Sequence, residues 1–370
     1  MKIAFNATCF NNSPSGARNR FIGIYEQLFM RLPEDEFFVF EPKDCSISDW
    51  FPPLPNVRFI QTGQLSESSL QRYLKGWFFW NRALKKINPD IFETFHFPLI
   101  KSPTGRTILT VHDIRYVHIP HMHSSLRCLF SRKVVRSALE KSDIVVTVSN
   151  AIKEELLDIY PKGNIIVIYN GIDARPYNVL SNDDLSKVRK KFALPERFLL
   201  SVGRFEKRKN YPRLLKALSL LNKNGHNLYL VIVGNDGDDL DASLEQINIL
   251  NLSNNVKILK DISAHDINSL YRLCSLLVFP SIYEGFGFPI LEAMAAQCPM
   301  VVSDLPVFRE ITENQFLYFD PNDTESIAEV IWKVYDSALE QKRMVDYGLI
   351  RVDMFNYNNI AQDLEKVYRQ

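Results

Sequence analysis

The chain has 370 residues, of which 46% are apolar and 24% are charged, and its net charge is +1. This length suffices for two domains that each bury a core, and the composition excludes a disordered or fibrous protein. No stretch approaches the roughly 20 consecutive apolar residues of a membrane-spanning helix, so we expect a protein that does not cross a bilayer.

The charge is unevenly distributed along the chain. Residues 1–173 carry +4 and the remainder −3, and residues 75–141 contain twelve basic residues against four acidic ones. This basic region indicates an anionic partner for the first half, but it is too diffuse to predict nucleic-acid binding. We therefore expect no nucleic-acid partner.

The first residues and the cysteines indicate a cytoplasmic protein. The strand-like KIAFNATCF comes within the first residues, without the basic start, long apolar run or cleavage site of a signal peptide. The five cysteines are scattered and none forms a C-x-x-C pair, so we expect reduced thiols rather than disulfides.

Short β-branched and aromatic runs alternate with amphipathic stretches in the first half. The predicted strands are KIAFNAT, FFVFEP, VRFIQT, IFETFHF, RTILTVHD, DIVVTVS and NIIVIYN, with helices near 17–32, 68–87, 124–141 and 150–159. The strand, helix, strand order predicts a parallel sheet covered on both faces.

The helix predicted at the start of the basic region 75–141 is both aromatic and positively charged. One face of YLKGWFFWNRALKKI, residues 73–87, would carry Trp77, Trp80, Leu84 and Ile87. The basic residues are Lys75, Arg82, Lys85 and Lys86, and the helix near 124–141 adds Arg127, Arg132, Lys133 and Arg136. Such a helix can lie in a membrane interface, or its apolar stripe can pack into the core beside a solvated edge.

His112 and Asp113 end the strand RTILTV, at the edge where side chains of a parallel sheet can reach a ligand. The same HDI sequence also fits a polar strand end followed by an aspartate helix cap. Both interpretations stay open at this point.

The second half repeats the α/β pattern. Its predicted strands are FLLSVGRF, LYLVIVGND, VKIL, SLLVFPS, MVVSD and FLYF, with helices near 210–224, 263–274, 289–297 and 323–340. Between the halves, residues 174–195 lose periodicity and gather Asn, Asp, Pro and Ser, which predicts an irregular connection. We expect two Rossmann-like domains, residues 1–175 and 176–354, whose parallel sheets face an interdomain cleft.

The segment SIYEGFGFPILEAM, residues 281–294, predicts a helix that begins at an anion-binding loop. Pro289 suits the first turn of a helix, and Gly285 and Gly287 permit close backbone approach beside the positive helix end. Glu284 before the helix and Glu292 one turn inside it could both reach one ligand. Alternatively, Glu292 merely complements the helix dipole and Glu284 is a solvated loop acid.

A second element, SVGRFEKRKNYPRLLKAL, begins with a strand and ends in a helix. Arg204 lies at the carboxyl end of the strand and Lys209 five residues later, so that together they could neutralise a diphosphate. Lys207 and Arg208 better fit a solvated basic turn.

These motifs together resemble the retaining glycosyltransferases of family 4, which have the GT-B fold. The resemblance covers nearly the whole chain and rests on six elements in the family's order. They are HDI at 112–114, VSNAIKEEL at 148–156, YNGID at 169–173, GRFEKRKN, the pair Glu284 and Glu292, and SDLPVFREI at 303–311.

The resemblance assigns roles to the candidate residues. It implies that Glu284 faces hydroxyls of the donor sugar, that Glu292 binds the ribose, and that Arg204 and Lys209 bind the diphosphate. Backbone around Gly285, Phe286, Gly287 and Phe288 would join them, and His112 would contact the sugar near the reacting centre. The first domain would bind the acceptor, and residues 355–370 would return to it.

The loop SPSGARNRF lies where the family carries a glycine-bearing loop over the donor phosphates. Gly16 matches, but Ala17 replaces the usual second glycine, so Arg18 or Arg20 would supply charge instead. A plain turn into the next helix is the alternative.

We therefore expect a retaining hexosyltransferase, with mannose from GDP-mannose favoured by the overall resemblance. The acceptor would be a saccharide or a polyprenyl-diphosphate-linked saccharide of a cell-surface polysaccharide, with the inner membrane surface as a further partner. No cofactor is expected, since Arg204, Lys209 and the helix end offset the charge that a metal would neutralise. The alternatives are a nucleotide-sugar epimerase of the same architecture and a non-catalytic binding protein.

Overall fold

The computed structural model describes residues 1–66, 76–118 and 125–370, without the side chains of residues 76–78, 118 and 125–127. The chain divides into two compact units. The first domain comprises Met1–Gly171 and Tyr357–Gln370, and the second domain comprises Ile172–Asn356.

The first domain contains a seven-stranded parallel sheet. Its strands are β1 (Lys2–Asn6), β2 (Glu36–Glu41), β3 (Val57–Gln61), β4 (Ile91–Thr94), β5 (Arg106–Val111), β6 (Ile144–Thr147) and β7 (Ile165–Val167). Their order is β3-β2-β1-β4-β5-β6-β7, with Ile3 of β1 opposite Phe37 and Ile91. Each strand coincides with a predicted apolar run, which confirms the parallel α/β prediction.

Helices accompany this sheet. They are Gly16–Arg31, Gly76–Ile87, Arg115–His118, Ser125–Lys141, Asn150–Ile159 and Tyr357–Arg369, with a short 3-10 helix at Ile47–Trp50. The helix Gly16–Arg31 begins where the Ser15 side chain accepts a hydrogen bond from the backbone N–H of Arg18.

Trp80 packs into the core of the first domain. Its side chain is 1% exposed and lies against Phe40 and Phe92. The prediction that Trp80 faces a membrane is therefore wrong, because an apolar helical stripe beside a sheet is buried by that sheet. Lys75 and the side chains of Trp77 and Arg127 lie outside the described residues.

The C-terminal helix (Tyr357–Arg369) belongs to the first domain and packs on the helix Gly16–Arg31. A Cβ on Gly23 would lie 2.2 Å from the ring of Tyr357, so only glycine allows this approach. At the other end, a guanidinium nitrogen of Arg369 lies 2.7 Å from a carboxylate oxygen of Asp35.

The second domain contains a six-stranded parallel sheet. Its strands are β8 (Leu199–Val202), β9 (Leu230–Val233), β10 (Val256–Leu259), β11 (Leu276–Phe279), β12 (Met300–Ser303) and β13 (Leu317–Phe319). Their order is β10-β9-β8-β11-β12-β13. The helices are Arg175–Asn178, Asn182–Lys191, Tyr211–Lys223, Leu240–Ile249, Ala264–Leu273, Phe288–Ala295, Pro306–Thr312, Thr324–Tyr335 and Ala338–Val352, with 3-10 turns at Lys207–Lys209 and Asp353–Phe355.

The segment 174–195 is not the irregular connection that its composition suggested. It forms the helices Arg175–Asn178 and Asn182–Lys191 within the second domain. The Ser181 hydroxyl accepts from the backbone N–H of Asp184, whose carboxylate accepts from the backbone N–H of Ser181. Residues typical of loops thus serve here as a capping box.

The helices of the described ranges differ from membrane-spanning segments. None of them combines the length and the apolar character that crossing a bilayer requires.

Candidate active site

The second sheet reverses its strand order at its centre. β8 and β11 are neighbours there; β9 and β10, which follow β8 in the chain, extend toward one edge, and β12 and β13, which follow β11, extend toward the other. In open parallel sheets, ligands bind outside the carboxyl ends of the strands at such a point. The loops after β8 and β11 meet at this place, where the backbone N–H of Ile282 donates to the carbonyl oxygen of Arg208 at 2.8 Å.

Glycines allow these loops to pack closely. A Cβ on Gly203 would lie 2.9 Å from Cε of Lys209, and a Cβ on Gly234 would lie 2.0 Å from the carbonyl oxygen of Gly203. Because both distances are too short for a real Cβ, the glycines let the Lys209 side chain fold back over the end of β8.

Lys209 and Glu284 form a buried ion pair. The Lys209 Nζ lies 2.7 Å from Oε1 of Glu284 and 4.7 Å from the centre of the Phe279 ring. Burial lowers the pKa of Lys209, although Glu284 opposes this change. Burial alone would raise the pKa of Glu284, but Arg208 and Lys209 outweigh it and lower that pKa to about 2. Glu284 is therefore an ionised hydrogen-bond acceptor.

Arg208 belongs to the same cluster, and the prediction of a solvated turn was wrong for this residue. Its NH1 lies 2.6 Å from Oε1 of Glu284, and its Nε lies 2.7 Å from Oε2 of Glu206. The Arg208 side chain is 19% exposed. Lys207 is exposed, as predicted. The two side chains are consecutive in the 3-10 turn Lys207–Lys209, and one of them is exposed while the next contacts Glu284.

Arg204 lies in the same loop after β8 as Arg208 and Lys209. Its side chain is exposed, and its Nε donates to the backbone carbonyl of Asp236 at 2.8 Å. Within the part of the chain that the structure describes, no carboxylate forms an ion pair with it. The guanidinium is thus anchored by one neutral contact and keeps its charge available at the surface.

Glu292 is held by a tyrosine from the preceding helix. The Tyr271 hydroxyl donates to Oε2 of Glu292 at 2.6 Å. Burial raises the pKa of Glu292, and both this hydrogen bond and the charge of Lys209 oppose the rise. The carboxylate is fixed in position, and Lys209 acts on it as well as on Glu284.

The helix Phe288–Ala295 begins at a left-handed glycine. Gly287 has φ +109°, and a Cβ there would lie 2.8 Å from the Phe308 ring. Gly285 and Phe286 are buried and Phe288 is half-buried. No side chain among the described residues caps this helix start. Backbone N–H groups alone therefore form the positive end of the helix.

The loop near Gly16 leads directly into a helix, and both of its arginines make contacts within the protein. Gly16 is the first residue of its helix, as the alternative of a plain turn implied. Arg18 stacks over the Trp50 ring at 4.5 Å and donates to the backbone carbonyl of Asn12. Arg20 is 1% exposed and donates to the carbonyls of residues 168 and 169, so its charge serves internal packing.

His112 follows β5, with a buried ring nitrogen. Its Nε2 has no hydrogen-bond partner among the described residues. Burial, aided by the charge of Arg20, lowers the pKa of His112 to about 3, so the ring is neutral at physiological pH. The Asp113 carboxylate accepts from the backbone N–H of Arg115 at 3.3 Å, as an aspartate cap would. The two interpretations of HDI are thus compatible.

The first domain also contains a largely apolar cavity of about 910 Å³. Residues from the loop after β4, from the segment after β5 and from the helix Ser125–Lys141 line it, including Phe97, Ile114, Val134 and Lys133. Lys141 lies at its wall as well, whereas the exposed Arg132 does not line it. Of the predicted basic residues on this helix, the structure therefore places Lys133 at a cavity.

Histidine, cysteine and acidic side chains are the common metal ligands of proteins. The described ranges contain no group of three such residues that could hold a metal ion.

Three residues of the cluster were not identified from the sequence. Arg208 and Ser281 both contact Oε1 of Glu284, and Tyr271 holds Glu292. Arg208 and Tyr271 reach these carboxylates from 76 and 21 positions away in the chain, so no local spacing signals the contact. The acid Glu206 two positions before Arg208 was the one available signal for Arg208.

Comparison with known proteins identifies the family. The model for "Glycosyl transferases group 1" matches residues 183–350, and the model for "Glycosyltransferase Family 4" matches residues 39–175.

Curated relatives match over most of the chain. It is 30% identical over 268 residues to the O-antigen chain mannosyltransferase RfbU of Salmonella typhimurium, covering 72% of this chain and 69% of the relative. It is 27% identical to the O-antigen chain mannosyltransferase B of Escherichia coli, covering 71% and 70%. A Campylobacter jejuni N-acetylgalactosaminyltransferase, named for a diphospho-undecaprenol-linked saccharide, is 26% identical and covers 68% of each chain.

Solved structures share the architecture at low identity. Sucrose-phosphate synthase from Thermosynechococcus elongatus superposes with a TM-score of 0.78 at 20% identity, covering 100% of this chain and 98% of that one. The chain therefore belongs to the group 1 and family 4 glycosyltransferases and is a glycosyltransferase of the GT-B fold.

Proposed function

We propose that this glycosyltransferase moves a hexose, with retention of configuration, from a nucleotide sugar to an acceptor in cell-surface polysaccharide synthesis. Mannose from GDP-mannose is the favoured donor, because two of its relatives are O-antigen mannosyltransferases. The observation that carries the proposal is the cluster around Glu284 at the strand-order reversal. It combines cations for a diphosphate with acceptors for hydroxyls.

The donor would lie across the carboxyl ends of β8 and β11. Arg204, Lys209 and the uncapped helix start at Gly287 would bind the diphosphate, since each supplies positive charge or backbone donors. Glu284 would accept hydrogen bonds from the transferred sugar, and Glu292 from the ribose. A charge-assisted hydrogen bond contributes about 1.5–3 kcal/mol, so several together would hold the donor firmly.

The chemistry would depend on electrostatic stabilisation more than on a protein nucleophile. Retaining glycosidases place two carboxyl groups about 5 Å apart, one of them as a nucleophile. Here Glu284 is engaged by two cations and Glu292 by Tyr271, and neither is poised as a free nucleophile. We propose that the acceptor hydroxyl attacks on the face from which the diphosphate departs and gives its proton to a phosphate oxygen.

His112 would contribute as a neutral hydrogen-bonding group. With its pKa near 3, it is unprotonated and is a weak base. No metal ion is required in this scheme, since protein cations offset the charge of the leaving group. We expect EDTA to leave the transfer rate unchanged.

We further propose a lipid-linked acceptor. One relative is named for a diphospho-undecaprenol-linked saccharide, and the cavity in the first domain pairs an apolar wall with Lys133 and Lys141. Such a lining suits an anionic amphiphile. The reaction would then occur at the inner face of the cytoplasmic membrane. Lys133→Glu should raise the KM for a lipid-linked acceptor several-fold, whereas Lys162→Glu, an exposed change outside the cavity lining, should not.

The direct test is a donor screen followed by transfer. A panel of sugar nucleotides is compared by thermal shift, because selective binding raises the melting temperature. The favoured donor is then incubated with a synthetic polyprenyl-diphosphate saccharide, and the product anomer is assigned by NMR. The proposal expects GDP-mannose to give the largest shift and an α-linked product. An inverted product would refute retention, and another preferred donor would refute mannose.

The two alternatives predict other outcomes of the same screen. An epimerase would convert the donor without any acceptor. A non-catalytic protein would bind the donor and neither hydrolyse nor transfer it.

A further inference from the structure

Arg208 bridges two carboxylates beside the donor site. Its Nε faces Glu206 and its NH1 faces Glu284, at 2.7 and 2.6 Å. The loop after β11 is tied to the same residue, since Ile282 donates to the Arg208 carbonyl. Arg208 therefore contacts Glu284 both directly and through the backbone that carries it.

The two oxygens of Glu284 differ in their surroundings. Oε1 accepts hydrogen bonds from Lys209 Nζ and from the Ser281 hydroxyl at 2.9 Å, and it forms the ion pair with Arg208 NH1. Oε2 accepts no hydrogen bond from any residue in the described ranges. The carboxylate is thus clamped by one oxygen while the other is left for a ligand.

We propose that Arg208 is a positioning residue, which orients Glu284 so that Oε2 accepts a hydroxyl of the transferred sugar. This inference rests on the proposed function. Arg208 acts through Glu284 and makes no contact with the donor itself, whereas Lys209 is shared between Glu284 and the diphosphate.

The charges in the cluster explain why Glu284 needs Arg208 as well as Lys209. Arg208 and Lys209 face Glu206 and Glu284, so the four charges cancel. If Lys209 turns toward a diphosphate, Glu284 loses one of its two cations. Arg208 then remains to keep the buried Glu284 carboxylate ionised. Tyr211 is a further titratable group that interacts with Glu284.

The test separates recognition of the sugar from recognition of the diphosphate. Arg208→Met, Arg208→Lys and the control Lys207→Met are compared for binding of the nucleotide sugar and of the nucleoside diphosphate alone. We expect Arg208→Met to weaken nucleotide-sugar binding at least about tenfold and to change nucleoside diphosphate binding less than about twofold. Arg208→Lys should restore part of the loss, and Lys207→Met should bind as the wild type does.

The pH dependence of transfer provides a second readout. Transfer requires ionised Glu284, so protonation of this residue should lower the rate only near pH 2 in the wild type. This acid limb of the pH–rate profile therefore lies below the range in which transfer is measured. In Arg208→Met burial acts with one cation fewer, so this limb should move upward in pH. A purely structural role would lower the rate at every pH alike.

Equal loss of both ligands would overturn the inference and make Arg208 a phosphate ligand. Unchanged binding in Arg208→Met would overturn it as well. If Arg208→Met does not fold, Arg208→Lys alone decides, since it should shift sugar-nucleotide binding more than diphosphate binding. A wild-type protein that binds no nucleotide sugar would instead refute the proposed function.

Discussion

Each domain holds a buried carboxylate near the centre of its sheet, and the two carboxylates differ in what they bind. Glu93 of β4 is 0% exposed, and both of its oxygens are occupied. Tyr25 and Thr110 donate to Oε1 at 2.6 and 2.5 Å, and Tyr368 donates to Oε2. Glu284 is instead held by one oxygen only, and its side chain is 10% exposed.

This difference distinguishes a structural carboxylate from a ligand-binding one. Glu93 ties the C-terminal helix to the sheet through Tyr368, so its hydrogen bonds close the first domain. Burial raises the pKa of Glu93, whereas two cations lower that of Glu284. A carboxylate whose acceptors are all used inside the protein stabilises the fold, and one with an unused oxygen is available for binding.

The largest effect on stability should come from Glu93. Glu93→Gln removes an acceptor from a buried network of three hydroxyls beside Arg20, and we expect the free energy of unfolding to fall by about 3 kcal/mol. Urea denaturation measures this change. Donor binding by folded protein should stay within about twofold of the wild type. A loss below about 1 kcal/mol would contradict the structural role of Glu93.

Glu284→Gln, in contrast to Glu93→Gln, should act on transfer. Transfer should fall about 100-fold, because the amide cannot replace an ionised acceptor of sugar hydroxyls. Nucleoside diphosphate binding should be kept or strengthened, since Lys209 loses its competing partner. Steady-state kinetics and calorimetry measure the two effects. Weaker binding of the nucleoside diphosphate would show that Glu284 does not compete for Lys209.

Arg204→Ala and Glu292→Ala should each weaken donor binding or transfer more than about tenfold. Arg204 is exposed, so its removal should change the free energy of unfolding by less than about 0.5 kcal/mol. Lys207→Ala is the matched control on the same loop. Near-wild-type kinetics in both variants would remove these residues from the site.

The smallest effect concerns His112 and pH. Its folded pKa, about 3, lies below the unfolded value near 6.5, so stability is present above pH 6.5 and is lost as pH falls. Between pH 7 and pH 6 this loss is roughly 0.7 kcal/mol. Chemical denaturation at both pH values should show a smaller drop for His112→Gln. An identical drop would mean that folding does not lower the pKa of His112.

The sequence predicts the sheets better than the helices. The thirteen strands of the described ranges all coincide with predicted runs of β-branched and aromatic residues, because most of these strands are buried in a sheet that such residues fill. The helix Asn182–Lys191 escaped prediction, since its capping residues Ser181 and Asp184 are also typical of loops. Trp80 was misassigned because an amphipathic stripe fits a sheet face as well as a membrane.

The candidate site was predictable only in part. Glu284 and Lys209 follow strands of the same sheet, so their convergence follows from parallel topology. The contacts of Arg208 and Arg20 depend on tertiary packing: one cation was expected in solvent and the other near a phosphate, yet both are directed inward. Short motifs locate a site, but they do not fix the direction of neighbouring long side chains.

A crystal structure of the protein with a non-hydrolysable GDP-mannose analogue tests the central claim most directly. The account predicts diphosphate oxygens on Arg204 and Lys209, with Oε2 of Glu284 accepting a sugar hydroxyl while Oε1 stays on Arg208. A nucleotide bound away from the ends of β8 and β11, or a sugar out of reach of Glu284, would contradict it.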